Sequence, residues 1–158
     1  MNFGNLKITA LTISMALSSA TALASVTGGA GTWTGTGVVF NTDGAEVSQY
    51  QVEVINTATD DHTLDIKGHV TLADGKVIPI TETMRDGDRG FSIVSGLGTG
   101  GGYSFGEGMI STYVTDKPGH AYASTIAMDG KDGMRVLVTE LQDGKALRFI
   151  REKLVRKQ

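Results

Sequence analysis

The sequence predicts an all-β protein, a closed up-and-down antiparallel β-barrel of about eight to ten strands. Two observations carry that expectation. Apolar residues alternate with polar ones at period two, the repeat of a strand with one buried and one wet face, rather than recurring at helical spacing. Between the alternating runs stand the pairs Asp43-Gly44, Asp74-Gly75, Asp86-Gly87, Asp129-Gly130, Asp132-Gly133 and Asp143-Gly144, each able to supply the positive φ angles of a tight hairpin turn.

Ahead of the strands, residues 1–24 read as a cleavable export signal. Lys7 gives a positive charge, an apolar stretch runs from Ile8 to Leu17, and small residues end in Ala22-Leu23-Ala24, the small-x-small pattern of signal peptidase. The apolar part is short for a bilayer span, and no second run after it is long enough for one. Cleavage after Ala24 leaves a single domain, 25–158, large enough for a core without staples. The chain has no Cys, which removes disulfides and thiolate metal sites and suits a periplasmic or secreted protein of this size. A net charge of −3 argues against nucleic acid as a partner.

Nine strands follow in order. The first, 31–40, opens Gly31-Thr32-Trp33-Thr34-Gly35-Thr36-Gly37 and holds the only Trp. In 46–57, Tyr50, Val52 and Val54 share a face. In 62–73, Leu64, Ile66, Val70 and Leu72 oppose Asp65, Lys67, His69 and Thr71, the cleanest alternation in the chain. Ile78, Ile80, Glu82 and Met84 share a face of 76–85, and Phe91 lies in 89–96. Gly96-Leu97-Gly98-Thr99-Gly100-Gly101 then reads as a loop at the barrel mouth, followed by 103–115 with Tyr103, Phe105, Glu107, Met109 and Tyr113 on one face. The last three are 120–128, 133–141 and 145–155. The final segment also fits a helix through Leu147, Ile150 and Leu154, but Asp143-Gly144 sets up a hairpin and favours a strand. A flat meander would expose two edges, which closure removes; a two-sheet sandwich is the alternative.

Gly31-Thr32-Trp33 at one end and Leu147-Arg148-Phe149-Ile150-Arg151 at the other resemble the calycins, the lipocalins and fatty-acid-binding proteins among them. That resemblance implies an Arg of the last strand packed over the first-strand Trp to close the barrel floor, and it assigns Arg151 to Trp33, with Arg148 second. Avidins share the early Gly-Thr-Trp, but their pocket uses several Trp residues. The segment Phe91 to Gly108 is similar to the glycine-rich hairpin of allene-oxide-cyclase-like and dirigent barrels.

Chemistry-bearing motifs are sparse. The G-x-G-x-x-G match at Gly96 to Gly101 lacks the strand-to-helix setting that a dinucleotide requires, so no cofactor is expected. His62, His69 and His120 have no metal-ligand spacing, and Asp129-Gly130-Lys131-Asp132-Gly133 lacks the acidic ligands of a calcium loop, so no metal is expected. No nucleophile-elbow motif marks a catalytic Ser. Glu107 and Glu82 lie on otherwise apolar faces, where an inward carboxylate would have a raised pKa.

Three functions compete. A binding barrel would hold a small apolar or amphipathic molecule against Tyr50, Val52, Val54, Leu64, Ile66, Ile80, Met84, Phe91, Tyr103, Phe105 and Glu107. An enzyme of the allene-oxide-cyclase or dirigent type would need Glu107 or Glu82 inside the cavity. A structural or partner-binding envelope protein would use an edge left open beside 145–155. The sequence leaves the ligand and the oligomeric state open.

Overall fold

The computed structural model describes residues 25–106 and 108–158, so the export signal and Glu107 lie outside the described residues. A short 3-10 turn, Val26–Gly29, precedes ten strands: β1 (Gly31–Asn41), β2 (Glu46–Ala58), β3 (Thr63–Leu72), β4 (Val77–Gly87), β5 (Gly90–Ser95), β6 (Gly98–Phe105), β7 (Gly108–Thr115), β8 (His120–Met128), β9 (Gly133–Gln142) and β10 (Lys145–Arg156). Each is antiparallel to its sequence neighbours, and β10 pairs with β1 to close the barrel. The terminal segment is a strand, and with both its sides paired no open edge lies beside it. The partner-binding reading loses the feature it rested on.

The number of strands is ten rather than nine because the glycine-rich segment is itself a strand. Gly96-Leu97 is only a two-residue turn, and Gly98, Gly100 and Gly102 pair with Ser95, Ile93 and Phe91 on one side. On the other side they pair with Thr115, Tyr113 and Ser111 of β7. A Cβ on Gly100 would stand 2.1 Å from the Thr112 carbonyl oxygen, so the inward row of glycines lets β7 fold closely over β6.

Further on, Phe105 at the end of β6 pairs with Gly108 at the start of β7, and this register reverses which residue parity faces inward. Tyr103 and Phe105 consequently stand on the outer surface, 67 % and 50 % exposed, whereas Ser104 is buried. The expectation that these two aromatics line the interior is corrected by this register.

One end of the barrel is solidly filled. Trp33, Val52, Val54, Met134, Val136 and Leu154 form one buried cluster; Leu64, Met84, Phe91 and Ile93 form another around Val26. Ile66 packs against both. Val26 is carried inward by the 3-10 turn, whose start is held by Asp86: Ser25 Oγ donates to Asp86 Oδ2 at 2.5 Å, and the Val26 N–H donates to the same carboxylate. The Gly29 carbonyl accepts from Trp33 Nε1 at 2.9 Å and from Asn56 Nδ2 at 3.0 Å. The segment therefore plugs the floor while satisfying the buried indole N–H.

The guanidinium over Trp33 belongs to Arg156, 4.7 Å from the ring centroid, not to Arg151. Register decides this. Trp33 is opposite Arg156, while Arg151 is opposite Val38 and, facing outward, covers Phe40 at 5.0 Å. The floor has the expected architecture with a different arginine.

Candidate functional site: a tyrosine-lined cavity at the open end

Above the filled floor the interior opens into a cavity of about 520 Å³, with Tyr50, Val70, Ile78, Ile80, Glu82, Tyr113, Tyr122, Val138, Ile150 and Glu152 around it and the Gly96-Leu97 turn at its edge. Its walls come from β2, β3, β4, β7, β8, β9 and β10 with Ser95 at the end of β5, so no single strand carries the site. Tyr113 and Tyr122 sit opposite each other on β7 and β8 and stack with centroids 5.1 Å apart.

Tyr50 crosses the barrel wall to reach a carboxylate. Gly37 on β1 pairs with Tyr50 on one side and with Glu152 on the other. A Cβ at Gly37 would lie 2.1 Å from the Tyr50 ring, so only a bare backbone there lets the ring lie over β1. The Tyr50 hydroxyl then donates to Glu152 Oε1 at 2.6 Å. Burial pushes the Tyr50 phenol up, and the charge of Glu152 and the bond to it add to the effect. Burial likewise raises Glu152, partly offset by the bond from Tyr50. Glu82 is raised by burial first and by the charge of Glu152 second. Tyr113 is raised by burial, with Glu82 the next cause. These mutual effects join Glu82, Glu152, Tyr50 and Tyr113 as one electrostatic unit.

A different polar cluster fastens the rim beside the cavity. Buried His120 contacts Glu140 through Nε2 at 2.7 Å and Thr115 Oγ1 through Nδ1 at 3.0 Å, and Arg148 Nε donates to Glu140 at 2.5 Å. Hydroxyl, imidazole and carboxylate follow in the order of a nucleophile, base and orienting acid. Thr115 Oγ1 also accepts from the Lys117 N–H at 3.2 Å and lies 3.3 Å from the His120 carbonyl oxygen, within the 116–119 turn. The cluster therefore ties that turn to β9 and β10.

The sequence-predicted lining residues divide by height. Tyr50 and Ile80 line the cavity. Val52 and Val54 belong to the filled floor, as do Leu64, Met84 and Phe91, with Ile66 bridging the two clusters. Tyr103 and Phe105 lie outside, and Glu107 is outside the described residues. Glu82, whose direction the sequence leaves open, faces the cavity. Sequence reasoning missed Glu152 and Tyr122. Both share parity with apolar inward neighbours, Leu154 and Ile126, and that was the available signal.

No protein-family model matches the sequence, and no curated protein does. The fold is similar to solved structures. A protein of unknown function from the DUF3598 family of Nostoc punctiforme PCC 73102 superposes with a TM-score of 0.62 at 10 % identity over 85 % of this chain. This chain spans 50 % of that protein's length. The S-type phycobiliprotein lyase CPES from Guillardia theta superposes with a TM-score of 0.59 at 13 % identity, covering 83 % of this chain and 89 % of the lyase. Both likenesses concern the barrel.

Proposed function

We propose that this protein is an exported, calycin-like barrel that binds a small apolar or amphipathic molecule in the upper cavity. The observation that carries the reading is the contrast inside one barrel: a packed floor under Trp33 and Val26, and about 520 Å³ of space above it. Concave, largely apolar sites with a few fixed polar groups are the usual form of small-molecule pockets. Aliphatic walls from Val70, Ile78, Ile80, Val138 and Ile150 would take an apolar body, and the tyrosines and glutamates would orient a polar head. The likeness to the Guillardia lyase is one of fold, and the ligand reading rests on the cavity.

Filling the cavity tests the reading. Val138→Trp, checked for a cooperative unfolding transition, is expected to abolish octanol binding by calorimetry. Tyr103→Ser and Phe105→Ser, both on the outer face, are expected to leave it unchanged. Octanol affinity that survives in a folded Val138→Trp protein would overturn the assignment. Export is tested separately: the protein recovered from its cells should begin at Ser25.

A further inference from the structure

We infer that the cavity selects an amphipathic organic cation, an ammonium group on an apolar body, with its charge facing Glu82 and Glu152. The inference rests on the cavity being a ligand site and adds the class of ligand.

Among the described residues, three inward-facing carboxylates belong to the open half of the barrel, and their surroundings differ. Glu140 is met by Arg148 and by His120. Glu82 and Glu152 form no ion pair among the described residues, and the cavity lining contains no Lys, Arg or His. Among the described residues, the partner of the Glu152 side chain is the neutral Tyr50 hydroxyl. The basic side chains next to Glu152 in the chain, Arg151 and Lys153, are exposed, on the outward parity of β10.

Burying a carboxylate without a counter-charge is costly, and two close together add mutual repulsion. A barrel built only to be stable would replace them by apolar residues of similar size. A ligand cation offsets part of both costs by placing a positive charge beside the two carboxylates. The tyrosines suit the same ligand: aromatic faces attract cations, and Tyr113 and Tyr122 stand stacked beside the carboxylates. A carboxylate-bearing ligand meets the opposite field, and an alcohol of the same length gains only hydrogen bonds.

The test compares three probes with one apolar body, octylammonium, octanol and octanoate, titrated calorimetrically into the purified protein at neutral pH. Octylammonium is expected to bind at least tenfold more tightly than octanol, and octanoate most weakly. In the Glu82→Gln/Glu152→Gln double variant the preference for octylammonium is expected to vanish while octanol still binds, which also shows that the variant cavity is intact. Equal affinity for octylammonium and octanol would overturn the cation inference and leave the cavity reading standing, as would a preference that persists in the double variant. Failure of all three probes would overturn the cavity reading and the cation inference with it.

Discussion

Gly37→Ala tests whether a bare position on β1 is what allows Tyr50 to reach Glu152. The new methyl group would meet Cζ, Cε2 and the hydroxyl oxygen of Tyr50 at 2.1, 2.3 and 2.6 Å. All three are side-chain atoms, so the response is for the ring to swing away rather than for β1 and β2 to part. The hydrogen bond to Glu152 is then lost. A hydrogen bond to a charged group contributes about 1.5–3 kcal/mol, and alanine returns about 0.4–1 kcal/mol by restricting the unfolded chain. The net expectation is a loss of about 1–2 kcal/mol, read from urea unfolding at pH 7. The same substitution in a Tyr50→Ala background meets no ring. There it should be neutral or stabilising by up to about 1 kcal/mol. An equal cost in both backgrounds would place the clash in the backbone and rule out the Tyr50 ring as its cause.

Three further expectations follow from the same packing. Glu82 has a pKa raised above its ordinary value of 4.5 by burial and by Glu152, so its stability is full below that value and declines as pH rises through the raised one. Glu82→Gln should therefore raise the melting temperature at pH 8 and leave it nearly unchanged at pH 4, as scanning calorimetry would record. Arg156→Ala should cost about 1–2 kcal/mol through the lost stacking on buried Trp33, whereas Arg151→Ala should stay within about 0.5 kcal/mol; denaturant curves separate the two. Leu64→Ala, at a position 1 % exposed beside Val26, should cost about 2–5 kcal/mol in the same assay.

The barrel was legible where side chains alternate. Leu64, Ile66, Val70 and Leu72 on β3 fixed one inward face without ambiguity, and Asp-Gly pairs mark the turns after β1, β3, β8 and β9, whereas Asp86-Gly87 is the paired end of β4 and the turn there is 88–89. It was illegible where side chains are missing. Gly98, Gly100 and Gly102 carry no apolar signal, so a strand held by backbone pairing reads as a loop, and the reversal of parity between β6 and β7 goes unseen. On β10 both faces carry apolar residues. Leu147, Phe149 and Val155 look like a core face yet are exposed, and Ile150, Glu152, Leu154 and Arg156 are the inward set. That ambiguity concealed both the true partner of Trp33 and the second cavity glutamate. Register against β1, which a single sequence does not state, resolves it.

The proposed binding cavity in the upper half of this barrel differs from a packing defect in being occupied. Native mass spectrometry of the protein purified gently from the cells that make it addresses this directly. A discrete co-purifying small molecule is expected, lost in the folded Val138→Trp variant. A clean mass of the bare chain, or an adduct equally abundant in that variant, would contradict it.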